Sequence, residues 1–351
     1  CTALLCSCGK VPDSSQTDSS SKAATTTTAD TTADTTTTGE ASSTASATSA
    51  PDSSVSDSSS AVTDDTKTNG ITPAMWKVTS PEGNTMVMLG SFHALKDECY
   101  PLPEAVTNAY NNADILAVEC DITSTSEDGE YMKNLMKQML YNDNTKLSQH
   151  ISEEAYSALQ TYLGYWGMDI SALEVYRPWA ISSTLDTLLI QDADFDSEKG
   201  LDNYLLTTAH ADGKEIYEVE SVDFQMNLLI NFSDDIYDLM FRSYEGETKE
   251  SQKQALEDLY TAWKSGDIET FLEEDNEEEL AGYTEEDKKI AEDYNNQMLY
   301  DRNKNMAKAA EDLMSQGKNV FYVVGAAHYA GEGGIIDLLE KDGYTAERVQ
   351  Y

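Results

Sequence analysis

The sequence predicts an α/β fold, in which a central β-sheet is built from two βαβ-like repeats and a large helical insertion, at about residues 124–316, separates them. Three observations predict it. Two short apolar runs, MVMLGSFH at residues 86–93 and NVFYVVGAAH at residues 319–328, each end in Gly-x-x-His. Each motif is followed by a helical pattern and then a further strand-like run, the first of which is ADILAVE ending at Glu119. Between the two units the chain is Met- and Tyr-rich and mostly of helical periodicity. Short runs of Val, Phe and Tyr closed by Gly suit buried strands of an α/β sheet.

The elements follow in order. Runs at 75–80 and 85–92 flank Pro81-Glu82-Gly83-Asn84, a turn signal, so the domain opens with a β-hairpin. Pro103 suits a first helical residue, and Val106, Ala109, Tyr110 and Ala113 then repeat on one buried face. Residues 115–119 form a strand that stops at an acid. Residues 124–179 are helical, Arg177-Pro178-Trp179 breaks the pattern, and another helix runs to Gln191. Gly200-Leu201-Asp202 opens a helix to about His210, and 216–220 is a strand that again ends at an acid, Glu220. Residues 221–316 are mainly helical. Met306, Ala309, Ala310, Leu313 and Met314 mark an inward stripe, and Arg302, four residues before Met306, shares that face and needs an anionic partner. Strand 320–324, helix 334–341 and strand 344–349 close the chain as a weak echo of the first unit.

His93 and His328 are two of only four histidines in 351 residues. Gly90 and Gly325 let the backbone turn or approach closely, so each imidazole lands just past a strand's carboxyl end, where open α/β sheets bind ligands. A lone Gly-x-x-His often arises by chance and then holds a hydrogen-bonded structural histidine. Two copies with matching strands favour one shared site.

Composition divides the chain near Ile71. Residues 13–70 are almost entirely Ser, Thr, Ala and Asp without an aromatic residue, and cannot bury enough apolar surface to offset the entropy of ordering. They are expected to be a tether with a reach of roughly 40 Å, followed by one domain over 71–351. The first residues, CTALLCSCGK, look like the clipped end of a secretory signal peptide. Leu5-Cys6-Ser7-Cys8 resembles a bacterial lipobox, which makes residues 1–7 leader and Cys8 the lipidated anchor. The expectation is therefore an extracytoplasmic protein held to the cell membrane by lipid. The net charge of −41 argues against a nucleic-acid partner, and the acidic run at 273–279 suits a solvated surface. Of the remaining cysteines, Cys99 and Cys120 form either a disulfide or two buried thiols.

As a set, several segments resemble the TraB/GumN family, whose animal branch is the Tiki-type metalloproteases: GSFH at 90–93, Leu102-Pro103-Glu104, ADILAVE, GLDNYL from Gly200, the region of Glu220 and Gln225, Arg302-Asn303, and GAAHYAGEGG from Gly325. The resemblance covers about residues 73–351. It departs at Ser91, where members often carry Thr, and at Cys120, directly after Glu119. It implies an α/β fold with a duplicated strand core and, for the Tiki branch, divalent-metal-dependent peptide cleavage; bacterial members include proteins linked to peptide-pheromone control.

Two neutral imidazoles and a carboxylate suit a divalent metal such as Mn, Co or Zn. His93, His328 and Glu119 are the candidate ligands, or Glu119 is the base acting on water. Arg302 would stabilise an oxyanion or hold a substrate carboxylate, and Asn303 would orient a neighbour. Glu220 is either a second catalytic carboxylate or an ordinary strand-end acid. Asp202 suits a helix cap better than a ligand, and His150 and His210 suit the surface. G-x-S-x-G, H-E-x-x-H and G-x-x-x-x-G-K-[ST] are absent from the sequence. The expected function is a metal-dependent hydrolase of peptide bonds, with a peptide or small protein as substrate. The rivals are a metal-free hydrolase with a histidine base and a lipoprotein that binds peptide without cleaving it.

Overall fold

The computed structural model describes residues 70–123, 129–271 and 282–351. The expected leader, Cys8 anchor, tether and acidic run at 273–279 lie outside the described residues. Six strands form one sheet in the order β4-β3-β5-β2-β1-β6. They are β1 (Met75–Thr79), β2 (Thr85–Ser91), β3 (Ile115–Val118), β4 (Glu215–Glu218), β5 (Val320–Gly325) and β6 (Thr345–Arg348). β4, β3, β5 and β2 run parallel, whereas β1 is antiparallel to β2 and β6. The β1–β2 hairpin turns at Gly83, whose φ of 90° favours glycine.

Helices α1 (Glu104–Asn112), α2 (Gly129–Gln138), α3 (Glu153–Tyr165), α4 (Ile170–Leu173) and α5 (Pro178–Asp192) precede α6 (Leu201–Asp212) and β4. Then come α7 (Val222–Ile230), α8 (Asp234–Arg242), α9 (Lys249–Ser265), α10 (Glu285–Asn295), α11 (Asp301–Met314) and, after β5, α12 (Ile335–Lys341). The architecture is the predicted α/β sheet with helical insertions.

Alternation along the strands explains the layers. Leu89, Leu116, Val118, Phe321 and Val323 face one core, shared with Val106 of α1, Leu205 of α6 and Trp263 of α9. Met88, Ala117, Tyr322 and Val324 face the other, with Met306 and Ala310 of α11 and Leu339 of α12. Because both faces are covered, these strands are continuously apolar. A third core, around Leu159, Trp179 and Phe241, packs α3, α5 and α8 together.

The decisive feature for function is strand order. The two Gly-x-x-His strands, β2 and β5, are immediate parallel neighbours, with Gly90 opposite Val324 and Ser91 opposite Gly325. Both motifs therefore leave the sheet at the same edge.

In the helical part, α5 buries Asp186 to 8 % exposure, near Tyr162, Tyr237 and Tyr244, whose hydroxyls are pushed up first by burial and further by its charge. Burial pushes its carboxyl up to about 7. A carboxyl whose folded pKa exceeds its unfolded value of about 3.9 favours folding fully at low pH, and that advantage is lost between roughly pH 4 and pH 7. Asp186→Asn is accordingly expected to be more stable than wild type at neutral pH by up to about 4 kcal/mol, with the gap closing near pH 4. Urea midpoints across that range check this; a gap independent of pH would contradict it.

Candidate functional site at the sheet edge

Glu119 directly follows β3 and is buried. Its Oε1 accepts the Gly325 N–H at 2.6 Å, while Oε2 accepts Arg302 Nη2 at 2.7 Å and Gln225 Nε2 at 2.8 Å. Burial alone would raise its pKa, but the Arg302 guanidinium, then the imidazoles and the Gly325 N–H, outweigh that and bring it down to about 2. Glu119 is a firmly ionised carboxylate.

Arg302, on the first turn of α11, is 2 % exposed. Its Nε donates to Glu220 Oε1 at 2.9 Å, its Nη2 also to Glu220 Oε2 at 2.8 Å, and its Nη1 to the Met298 carbonyl at 3.0 Å. The anionic partner that its inward position required is thus a pair of carboxylates. The structure directs the guanidinium to Glu119 and Glu220, and that occupies the donors through which an oxyanion role would act. Glu220 lies two residues beyond β4, with a side chain 6 % exposed. Gln225 Nε2 bridges to it at 2.9 Å, and Gln225 Oε1 accepts the Cys120 thiol at 3.2 Å.

The two imidazoles are oriented from opposite layers. His93 Nδ1 lies 2.7 Å from Asp202 Oδ2, on the first turn of α6, and a carboxylate there makes Nδ1 the protonated nitrogen. His328, 2 % exposed, places Nδ1 at 2.6 Å from Asn303 Oδ1. The Asn303 Nδ2 donates to the Gly333 carbonyl at 2.9 Å, and since a carbonyl only accepts, this fixes Oδ1 toward His328 and makes its Nδ1 the donor. Burial, reinforced by Arg302 and His93 and opposed by Glu119, lowers the His328 pKa to about 3, so the ring is neutral. With Nδ1 the donor in each ring, Nε2 is the nitrogen that carries the lone pair.

Those groups converge on Gly325. A Cβ placed there would lie 3.1 Å from Glu119 Oε1, 3.6 Å from His93 Nε2 and 3.6 Å from His328 Cδ2. His328 Nε2 stands 3.7 Å from Glu119 Oε1. Gly90 serves the same junction, because a Cβ on it would lie 3.0 Å from Ala326 Cα, and Trp263 Nε1 donates to its carbonyl at 2.9 Å. Gly200 is tighter still: a Cβ there would fall 2.2 Å from the His93 carbonyl oxygen.

Of the candidates, His93, His328, Glu119, Glu220, Arg302, Asn303, Gly90 and Gly325 therefore meet at one edge. His150 and His210 do not join them. His150 stacks on Tyr141 and bonds Asp234 at 2.7 Å, and His210 bonds Asp121 at 2.8 Å. Cys99 and Cys120 are separate buried thiols. Asp202, expected as a cap, instead holds His93, and Gly200 occupies the cap position. Gln225 and Gly333 carried no functional signal of their own in the sequence, apart from the likeness of the segments around them.

The donor set fits a metal in part. Two inward Nε2 atoms suit a divalent ion, yet both Glu119 oxygens already accept hydrogen bonds. Among the described residues no group of three or more His, Cys, Asp and Glu is arranged to hold one.

With this geometry in hand, the family model described as TraB/PrgY/gumN family matches residues 74–348. The chain belongs to the TraB/PrgY/gumN family. Within it, the chain is 26% identical over 157 residues to the protein YbaP of Escherichia coli, covering 45% of this chain and 56% of that one. It is 24% identical over 293 residues to the Metalloprotease TIKI homolog of Nematostella vectensis, covering 71% and 61%. It is 26% identical over 161 residues to Metalloprotease TIKI1 of Xenopus tropicalis, covering 41% and 32%. The chain thus spans little more than half the length of the first of these relatives. No solved structure matches it. As a TraB/PrgY/gumN member it is related to proteins named as metalloproteases, and the residues that carry both Gly-x-x-His motifs lie inside the matched span.

Proposed function

We propose that the protein is a metal-dependent hydrolase of peptide bonds, tethered on the extracytoplasmic face of the membrane through Cys8. His93 and His328 would hold the ion through Nε2. The observation that supports this most is the outward commitment of both Nδ1 atoms, to Asp202 and Asn303, in two histidines that follow adjacent parallel strands. Orienting partners of this kind are what imidazole metal ligands use. A divalent ion bound there polarises a carbonyl and lowers the pKa of water it binds.

The chain's own residues divide the remaining work. Glu119, with its pKa near 2, is too weak a base to take a proton readily at neutral pH. It suits accepting a hydrogen bond from an attacking water and so orienting it. Arg302 and Gln225 hold that carboxylate in place, and Glu220 balances the guanidinium. In the metal-free alternative, neutral His328 would instead accept a proton through Nε2. The strong negative charge of the chain would attract a cation and a cationic peptide alike.

Mass spectrometry of peptides incubated with the protein tests the reading. Cleavage is expected to stop with a chelator, to return with Mn, Co or Zn, and to be lost in His328→Ala. Cleavage that ignores the chelator would identify a metal-free hydrolase, a reading favoured by the hydrogen bonds that both Glu119 oxygens already accept. Peptide retained but uncut would identify a binding protein.

A further inference from the structure

Apart from the edge site, a cavity of about 430 Å³ is lined by Tyr300, Lys304, Glu332, Gly333, Leu338 and Lys341. Its walls combine an aromatic ring and a leucine with two ammonium groups. Among the described residues Lys304 is paired only with Asp301, at 2.8 Å on its own helix, and both side chains are 65% exposed. Lys341 is paired with Asp337 at 2.8 Å and stands 3.7 Å from Glu332. Exposed pairs of this kind are weak and exchange readily for another anion.

The cavity is also joined to the edge site. Gly333, at φ 80°, lies against the Tyr300 ring, where an added Cβ would sit 3.0 Å from Cδ1. The carbonyl of the same Gly333 accepts from Asn303 Nδ2, and Asn303 Oδ1 accepts from His328 Nδ1. A displacement of the 331–334 turn would therefore reach the His328 ring through two hydrogen bonds.

We propose that this cavity binds an apolar ligand ending in a carboxylate, the chemistry of a peptide's C-terminal residue, and that occupancy is transmitted through Gly333 and Asn303 to His328. The apolar body would rest on Tyr300 and Leu338, with the carboxylate between Lys304 and Lys341. The inference stands apart from the hydrolase reading, because its test needs no turnover.

The test is a titration of the full chain with N-acetyl-leucine and with N-acetyl-leucinamide, followed by NMR with the histidine side chains labelled. Saturable binding of N-acetyl-leucine is expected, with the His328 ring signals moving along the same curve. The uncharged amide, and the Lys304→Glu/Lys341→Glu double variant, are expected to bind at least about tenfold more weakly. Both lysines are well exposed, so the variant should keep the wild-type amide spectrum elsewhere. Absence of saturable binding, equal binding of the amide, or undiminished binding by the double variant overturns the pocket. Saturation without movement at His328 overturns its link to the site.

Discussion

Arg302→Met is expected to destabilise the fold by about 3–5 kcal/mol at neutral pH, the usual consequence of leaving buried charges without their partner. Arg302 bonds two carboxylates, Glu119 and Glu220, whose side chains are 8% and 6% exposed. Without it no cation among the described residues faces the two acids here: Glu220 keeps the bond from Gln225 Nε2, and Glu119 keeps those from Gln225 Nε2 and the Gly325 N–H. Lysine at this position supplies one charge but no planar fork, so Arg302→Lys should fall between the two. The pH dependence has a defined sign. Glu119 has a folded pKa below its unfolded value, so it stabilises the fold above about pH 4.3 and that contribution disappears as pH falls toward 2. The deficit of Arg302→Met should therefore shrink on acidification. Denaturant midpoints at neutral and acid pH read this out, and a variant as stable as wild type at neutral pH would show that the guanidinium does not neutralise this pair.

Gly200→Ala is expected to disable the site through the backbone. The new methyl would fall 2.2 Å from the His93 oxygen and 2.6 Å from its carbonyl carbon, atoms that cannot rotate away. The neighbouring Leu201 N–H donates to the Phe92 carbonyl at 3.0 Å, so α6 and the first motif would have to separate. Loss of about 2–4 kcal/mol is the expected scale for such strain, together with loss of the His93–Asp202 contact. Gly325→Ala provides the contrast. Its φ of −52° is open to alanine, and the nearest atom, 3.1 Å away, is the end of the Glu119 side chain. This variant should fold with a loss below about 1.5 kcal/mol while cleavage falls on the order of 100-fold through misplacement of the reacting groups. Calorimetry and peptide cleavage on both proteins separate the two effects; equal stabilities would contradict the packing account of Gly200.

These contrasts show what can be read from the chain alone. The strands β2, β3 and β5 are legible because burial on both faces makes them continuously apolar, and Gly90 and Gly325 mark their ends. Convergence of His93 and His328 is inferable from duplication, but adjacency of β2 and β5 depends on tertiary pairing across the helical insertion. The inward face of Arg302 follows from spacing, whereas its two partners do not, because Glu220 reaches it only after the chain leaves β4 at Glu218. Asp202 looks like a cap because an acid in a first helical turn usually serves the helix. Here Gly200 packs so closely on His93 that the carboxylate is delivered to the imidazole instead. Nothing local announces Gln225, whose role arises from the space between two acids.

The most direct measurement of the shared site is cobalt uptake followed by its visible absorption, in the wild type and in His93→Ala and His328→Ala separately. One imidazole-liganded ion per wild-type chain is predicted, with both substitutions abolishing the same spectrum. No uptake by the wild type, or an undiminished spectrum in either variant, would contradict the claim that the two imidazoles act on one bound ion.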